Sequence, residues 1–554
     1  MSGGGASPRS YNEEMGLRSA ALLAALLAGA LRAQDISATR LRADVQFLAS
    51  DLLEGRGTGT RGGALAEEYI AAQMQKADLR PGYRGTWYQT VSLIGVQTLP
   101  EVELVAVTAS GVTPLVWLTD FAGQSRRQIA ETGFDAPVVF AGHGITAPEF
   151  NWDDWQGLDA RGKACLMLAN EPASATDRSF FDGPALTYYG RWTYKFEQAT
   201  RQGCAAALLI HTDSSAGYAW SVVRNSWGRE EAQTPLPAAA AALAFAGWLS
   251  RDAAARLIEL DSRGLEQVIA TANNRGFRGH PMRFRLRGRI PSRIRSIAAR
   301  NVVGMVEGGD PALSGQAVIF SAHADHLGID TEAPPGADRI FNGAVDNATG
   351  TAMLLELARA WAALPRPPAR TAFFLATTAE EAGLKGAEAY AADPAIPLDQ
   401  TALNLNFDSY YPAGRVSDLI LDRAERTTLW PHIERIAARY GMTVKPQPHP
   451  GSGAYFRSDH FAFARLGVPA FSVGLGSSFL ADGERHAALI RDYGATRYHR
   501  PGDEFSPDWD FSGLVDAARI GLEIGLAAAN NPPLTRWIPS EKTTRRRAPR
   551  KGRF

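Results

Sequence analysis

The sequence predicts an α/β protein with a doubly wound, mostly parallel sheet and a β-rich insertion. From residue 299 onward, continuous apolar runs of strand length, such as "NVVGMVEG", "AVIFSAH", "TAFFLAT" and "ALNLNFD", alternate with helical patterns such as "GTAMLLELARAWAAL". Between residues 102 and 290, shorter runs such as "APVVFAG", "KACLMLA", "AAALLIH" and "RFRLRGRI" are separated by Gly, Pro and Asp turns. The two patterns together indicate an α/β domain interrupted by a smaller unit.

Residues 1–33 contain a segment with the layout of a secretory signal peptide, which runs from about Met15 to Ala33. Arg18 precedes an Ala/Leu run, and Ala33 supplies a small residue at the cut. The run is shorter than the roughly 20 residues of a membrane-spanning helix. We therefore expect a secreted or periplasmic protein with no stable membrane insertion after signal cleavage.

The rest of the chain divides into four predicted regions. Residues 34–110 form the N-terminal part of the α/β domain, with a helix, a Gly-rich turn and a second helix over 41–74. Residues 111–290 form the insertion, in which the Ala-rich stretch 237–260 is predicted to be helical. Residues 291–535 form the main domain, and 536–554 a basic, disordered tail.

Charge and cysteine content narrow the possible functions. The chain has 58 basic and 58 acidic residues, so no global field attracts nucleic acid or an anionic membrane. Its two cysteines, Cys165 and Cys204, lack the spacing of a metal or redox motif. Both a disulfide and two buried free thiols are compatible with their apolar surroundings. Function is therefore expected in a local site.

Imidazoles and carboxylates follow the predicted strands of the main domain. In a doubly wound sheet the carboxyl ends of the strands meet at one edge, so these groups should converge there. Several buried carboxylates need compensating positive charge, and a His, Asp and Glu set without thiolates suits zinc. The sequence therefore predicts a metal site built from some of the following residues: His323, Asp325, His326, Asp346, Glu380, Glu381, Asp408 and His499.

The motifs resemble those of the co-catalytic zinc aminopeptidases and glutamate-carboxypeptidase-like enzymes, in the branch with a protease-associated domain insertion. The resemblance runs through nearly the whole mature chain, from "SDLLEGRGTGTRGG" through "VVFAGHGITAPEFNWDDWQGLDARGK" to "SAHADHLG", "NGAVDNATG", "TAEEAGLKG", "NFDS" and "YHRPGDE". It implies a zinc-exopeptidase fold, peptide substrates and two zinc ions per chain. The insertion would then cover the site and restrict access to short peptides.

The resemblance also implies a role for each site residue. Asp346 would bridge the two metals. His323 and Asp408 would complete one metal site, and Glu381 and His499 the other. Glu380 would be the general base that accepts a proton from a water activated by the metals.

Further roles follow from the same resemblance. Asp325 would orient the imidazole of His323. Tyr455 would donate a hydrogen bond to the tetrahedral oxyanion, and Tyr498 is a second candidate for that task. A supporting role, without metal contact, is expected for three further residues: His326, Asp459 and His460.

An aminopeptidase is the predicted activity, and three alternatives within the same fold stay open: a carboxypeptidase, a glutaminyl cyclase-like transferase and a non-catalytic receptor-like protein. A carboxypeptidase requires cationic groups for the terminal carboxylate, for which Arg339, Arg457 and Arg497 are candidates. A nucleotide-binding loop is excluded because "GLDARGKA" lacks the final Ser or Thr and leads into a strand. Neither G-x-S-x-G nor His-Glu-x-x-His occurs.

Overall fold

The computed structural model of the protein describes residues 36–539 except 173–179, 182, 239 and 332. The predicted signal peptide lies outside the described residues, as does the predicted tail from residue 540 onward. Residues 536–539 are described and pack on the main domain, where the indole N–H of Trp537 donates to the carbonyl of Val468 at 3.0 Å. The predicted tail boundary is therefore too early. Within the described ranges, no helix has the length and apolarity required to cross a bilayer.

The described residues form thirteen α-helices and twenty-two strands. The α-helices are α1 Ala38–Leu48, α2 Arg61–Lys76, α3 Trp192–Arg201, α4 Asp213–Ala216, α5 Trp220–Trp227, α6 Arg251–Glu259, α7 Leu265–Ala272, α8 Thr349–Ala362, α9 Lys385–Ala392, α10 Trp430–Arg439, α11 His460–Ala464, α12 Gly483–Asp492 and α13 Ser512–Asn530. The strands are β1 Arg80–Pro81, β2 Tyr88–Thr98, β3 Glu103–Thr108, β4 Gly111–Leu115, β5 Phe121–Gln124, β6 Glu131–Phe140, β7 Thr146–Ala147, β8 Trp152–Asp153, β9 Ala164–Leu168, β10 Ala206–Ile210, β11 Glu231–Gln233, β12 Phe245–Leu249, β13 His280–Val306, β14 Ala317–His323, β15 Gly328–Ile329, β16 Ile340–Phe341, β17 Thr371–Thr377, β18 Thr401–Asn406, β19 Asp418–Ile420, β20 Thr443–Lys445, β21 Ala470–Ser472 and β22 Gly474–Leu475.

Four parallel strands form the centre of the main domain, in the order β21, β18, β14 and β17. Strands β14, β17 and β18 are buried along their whole length because helices cover both faces of the sheet. Phe320 and Phe374 belong to the cluster that includes Trp361 of α8, whereas Phe373 belongs to the opposite cluster, with Tyr390 of α9. The predicted fold class, α/β with a mostly parallel sheet, is confirmed.

Strand β13 connects the main domain to the insertion. It is 27 residues long and runs antiparallel to β17 at its C-terminal end, to β2 in its middle and to β3 and β6 at its N-terminal end. The sequence predicted two separate strands, "RFRLRGRI" and "NVVGMVEG". They are one strand because the residues between them continue the pairing, from Ser292 opposite Thr98 to Asn301 opposite Gln89.

The segment predicted to be an insertion, residues 111–290 and called the insertion below, contains an α/β layer and is not only β-rich. Strands β6, β9, β10 and β12 are parallel, and helices α6 and α7 cover one face. The prediction of a helix over 237–260 is wrong in its first part. Residues Phe245–Leu249 form the fully buried strand β12, and α6 begins only after Ser250, whose hydroxyl accepts the N–H of Ala253. Tertiary burial thus overrides the helix propensity of alanine.

The cysteine pairing that the sequence left open is a disulfide. Cys165 in β9 and Cys204, just before β10, are bonded with their Cα atoms 6.2 Å apart. Strands β9 and β10 are adjacent and parallel, so the disulfide joins the start of one strand to the start of its neighbour on the same face of the sheet. The bond closes a 39-residue segment of the insertion that includes α3.

Candidate metal centre

The predicted site residues converge at the carboxyl ends of three central strands. His323 is the last residue of β14, Glu380 and Glu381 follow β17, and Asp408 follows β18. Asp346 lies in the loop before α8. Each apolar strand holds its end in the rigid sheet, and the polar residues that follow are presented at the edge where ligands bind in such sheets.

Asp346 lies between two groups of side chains, with one carboxylate oxygen facing each. Its Oδ1 is 3.2 Å from Nε2 of His323, and the same nitrogen is 3.2 Å from Oδ1 of Asp408. Its Oδ2 is 3.2 Å from Nε2 of His499, which is also 3.2 Å from Oε2 of Glu381. All five residues that the sequence assigned to metal binding are therefore brought together.

His326 is closer to the centre than the sequence indicated. Its Nδ1 is 2.6 Å from Oε1 of Glu381, and with Asp346 these residues form a group whose potential ligand atoms lie within 4.8 Å of one another. Both ring nitrogens of His326 and Oε1 of Glu381 are buried without an aligned hydrogen-bond partner. Its place three residues beyond the end of β14 was the available signal, because His323 and Asp325 share that strand end.

The electrostatics of the centre match a cation site. Burial disfavours charge on His323, but the carboxylates of Asp408 and Glu380 outweigh it and raise the pKa of the imidazole well above its usual value. Burial also opposes ionisation of Asp346, yet hydrogen bonds from His323 and His499 hold its pKa well below normal. Imidazole nitrogens and carboxylate oxygens without thiolates fit zinc, and a shared carboxylate fits a pair of ions.

Asp325 connects this centre to Glu380. Its Oδ1 accepts the backbone N–H of Glu380 at 3.1 Å, and its Oδ2 accepts the hydroxyl of Thr58 at 3.2 Å. Nδ1 of His323 lies 3.2 Å from the main-chain carbonyl of Asp325 and 4.0 Å from its carboxylate. The Asp325 carbonyl thus contacts the imidazole directly, while the carboxylate positions the backbone that carries Glu380.

Two positioning residues were not identified from the sequence. The carboxylate of Asp503 accepts the backbone N–H groups of Val345 and Asp346 at 2.9 and 3.1 Å. The buried guanidinium of Arg56 donates to the carbonyls of Ala324 and Gly343, both at 2.9 Å, and so holds the loops on either side of the centre. Both residues lie inside quoted motifs, "YHRPGDE" and "EGRGTG", but contacts with backbone atoms leave no spacing signal.

The two tyrosines proposed for the oxyanion differ in position. Tyr455 is buried and donates its hydroxyl to the carbonyl of Ala470 at 2.9 Å. Tyr498 lines the cavity beside the centre, and its hydroxyl accepts a hydrogen bond from Arg457 at 2.7 Å. Asp459 and His460 are both buried behind the centre, where they contact Thr377 and Ser472 respectively, and this is the supporting position expected of them.

A cavity of about 160 Å³ opens beside Glu380, Glu381 and His499. The main domain contributes part of its wall, and the insertion contributes the rest through α3, α5 and the residues around them. The ring of Tyr188, from the insertion, packs 5.0 Å from that of Phe461. The insertion therefore forms one side of the cavity.

The fold and the centre together define a class of protein. An α/β sheet with histidine and carboxylate ligand atoms at its strand ends, an additional unpaired carboxylate and an adjacent cavity is the arrangement of a metal-dependent hydrolase. Residues 301–520 match Peptidase family M28, which agrees with the metallopeptidase resemblance of the sequence motifs. The search of curated proteins gave no significant match.

Solved structures match the chain at low sequence identity, and the first of those named here supports the fold. An aminopeptidase from Aneurinibacillus sp. strain AM-1 is 18% identical, with 92% of this chain and 97% of that chain covered and a TM-score of 0.53. A Peptidase M28 precursor from Shewanella amazonensis SB2B is 18% identical, with 93% and 99% covered and a TM-score of 0.49. A zinc aminopeptidase from Bacillus subtilis is 16% identical, with 92% and 99% covered and a TM-score of 0.45.

Proposed function

We propose that the protein is a secreted, zinc-dependent aminopeptidase that removes N-terminal residues from peptides. The observation that carries the proposal is the position of Asp346, whose two carboxylate oxygens each face a different histidine at 3.2 Å. A carboxylate shared in this way would suit a site that holds two zinc ions. The five residues that would hold them are His323, Asp346, Glu381, Asp408 and His499.

Glu380 is the group best placed to transfer a proton from the attacking water to the leaving amine. When bound, zinc ions lower the pKa of water and polarise the scissile carbonyl. Within the described residues, no side chain donates a hydrogen bond to the carboxylate of Glu380, which lines the cavity next to Glu381 and His499. That carboxylate is therefore free to accept a proton from the attacking water and to return it to the leaving amine.

Tyr498 is the better candidate for stabilising the oxyanion. Its hydroxyl accepts a hydrogen bond from Arg457, which leaves its own proton available for an acceptor in the cavity. The hydroxyl of Tyr455 already donates to Ala470. A donor aimed at the developing negative charge contributes about 100-fold to 1000-fold in kcat.

The test is hydrolysis of aminoacyl chromogenic amides beside N-blocked peptides with a free carboxylate, with zinc added. We expect release only from free amino termini and a zinc content near two per chain. Glu380→Gln should lower kcat by a factor of about 10²–10⁴. Glu388→Gln is the matched control, because Glu388 also lines the cavity but is paired with Lys385 and Arg465.

Other results would identify the alternatives. Turnover of N-blocked peptides alone would indicate a carboxypeptidase. One zinc ion per chain, with cyclisation of N-terminal glutamine, would indicate a glutaminyl cyclase-like enzyme. A chain that binds no zinc and cleaves neither class would contradict the proposal and indicate a receptor-like protein.

A further inference from the structure

Two guanidinium groups from different parts of the fold reach the cavity beside the candidate metal centre. Arg191 precedes α3 and belongs to the insertion, whereas Arg457 precedes α11 and belongs to the main domain. Both line the same cavity as Glu380 and Tyr498. The sequence offered Arg339, Arg457 and Arg497 as cationic candidates, and of these only Arg457 lines this cavity.

Neither guanidinium has an acidic partner among the described residues. Arg457 donates to the hydroxyl of Tyr498 at 2.7 Å and lies 5.7 Å from the ring centre of Tyr218. Nε of Arg191 is buried without a hydrogen-bond partner. By contrast, Arg465 in the same cavity is 3.1 Å from the carboxylate of Glu388. Arg191 and Arg457 therefore differ from the other arginine of this cavity in having no carboxylate of their own.

Burial and the charge of Arg457 both disfavour the positive charge of Arg191. Burial lowers the pKa of Arg191 to about 10, and the positive charge of Arg457 is the next largest cause. Arg191 still carries its charge at neutral pH. A partly buried cation without a hydrogen-bonded anion is costly, and an anion that binds in the cavity next to both guanidinium groups reduces that cost. The planar fork of a guanidinium matches the two oxygens of a carboxylate.

We propose that Arg191 and Arg457 together bind a carboxylate of the peptide substrate, and that the enzyme therefore prefers short, carboxylate-bearing peptides. The inference deepens the proposed function and rests on it. The carboxylate can be the C-terminal group of a dipeptide or tripeptide, or an acidic side chain near the cleaved bond. A free amino terminus is repelled by the two cations and is directed to the acidic side of the cavity, next to Glu380.

The test is calorimetric binding to the zinc-loaded, full-length Glu380→Gln protein. Three ligands are compared: Ala-Leu, its C-terminal amide, and the C-terminal amide of Ala-Glu. We expect Ala-Leu to bind at least about 30-fold more tightly than Ala-Leu amide, as for other buried, hydrogen-bonded charge pairs. Arg191→Gln and Arg457→Gln, each added to Glu380→Gln, should remove that difference. Arg465→Gln is the matched control and should preserve it.

The outcomes separate this inference from the proposed function. Equal binding of Ala-Leu and its amide, with no gain for Ala-Glu amide, would overturn the inference. Tight binding of Ala-Glu amide alone supports it and identifies the acidic side chain as the source. If the wild-type protein hydrolyses none of the peptides while the binding difference persists, the proposed function fails, and only the carboxylate-binding role of Arg191 and Arg457 stands.

Steady-state kinetics provide an independent readout when the wild-type protein is active. In the single variants Arg191→Gln and Arg457→Gln, loss of carboxylate binding should increase KM for Ala-Leu by about 30-fold. The KM for Ala-Leu amide should not change comparably. A role limited to the folding of the insertion would affect both ligands equally. An equal effect on the two ligands would therefore overturn the inference.

Discussion

Glu380 and Glu381 are adjacent in the chain, but their carboxylates face different surroundings. Glu381 is 3.2 Å from His499 and 2.6 Å from His326, whereas the carboxylate of Glu380 lines the cavity. The residue before the pair, Ala379, has a φ of 53°, so the chain turns sharply where β17 has ended. This turn allows two neighbouring glutamates to perform different tasks.

Substitution of the two glutamates should therefore have different effects. Glu380→Gln is expected to retain zinc and to lower kcat by a factor of about 10²–10⁴, since only proton transfer is lost. Glu381→Gln should lower zinc content as well, because it removes a charged ligand candidate. Zinc content after dialysis and kcat, measured on both variants, check this prediction. Equal zinc loss in the two variants would contradict it.

Arg56 should control how well the centre is organised. Arg56→Met removes the donors to Ala324 and Gly343 and leaves these buried carbonyls unpaired, at a cost of about 1–3 kcal/mol each in folding free energy. Zinc affinity should fall by a factor of about 10–100, as for other groups that position ligands. Urea unfolding and competition with a chelator measure the two effects. Arg56→Lys keeps the charge without the fork, so wild-type behaviour of that variant would contradict a role for the fork.

The disulfide should stabilise the part of the insertion that carries Arg191. The Cys165–Cys204 bond spans 39 residues, and the chain-entropy relation gives about 4 kcal/mol for a loop of that length. The double variant Cys165→Ala, Cys204→Ala should lose about that much folding free energy in urea unfolding. Wild-type protein under a reductant is the matched comparison and should show a similar loss. An unchanged unfolding midpoint in both samples would contradict the prediction.

Acid should weaken the folded insertion through His143. Burial, followed by the charge of Lys195, lowers the pKa of this imidazole to about 3, against about 6.5 in an unfolded chain. The unfolded chain then binds a proton that the folded chain does not, so the free energy of unfolding decreases as pH falls below 6.5. The contribution is about 2 kcal/mol between pH 7 and pH 5.

His143→Gln should reduce this dependence of stability on pH. Urea unfolding at pH 7 and pH 5 measures it, with His449→Gln as the control because His449 is exposed. The difference in unfolding free energy between the two pH values should be about 2 kcal/mol smaller for His143→Gln than for the wild-type protein. An identical difference in the wild-type protein and the His143 variant would contradict the prediction.

Much of the main domain could be predicted from the sequence because its local and tertiary signals agree. The strands at 317–323, 371–377 and 401–406 are buried on both faces, so apolar residues occur on both faces of each strand. Helix α8 carries matching apolar periodicity. Once these strands were placed in one sheet, the convergence of His323, Asp346, Glu381, Asp408 and His499 followed from the sheet geometry.

The other features of the fold and of the candidate site depend on long-range contacts that leave no local pattern in the sequence. Strand β12 lies within an Ala-rich stretch of high helix propensity, and its pairing with β10 decides its conformation. Arg56 and Asp503 act on backbone groups far along the chain, and Arg191 reaches the cavity only because the insertion packs against the main domain. Such long-range partners are specified by the tertiary structure.

Strand β13 bears on how the two parts of the protein unfold. Because its 27 residues pair with β2, β3 and β17 outside the insertion and with β6 inside it, no exposed linker separates the parts along this strand. A protease has no flexible peptide to cut there while the ladder is intact. Separation of the parts requires breaking a continuous series of backbone hydrogen bonds, so a loss of structure on one side reaches the other. The two parts are thus one cooperative folding unit along this strand.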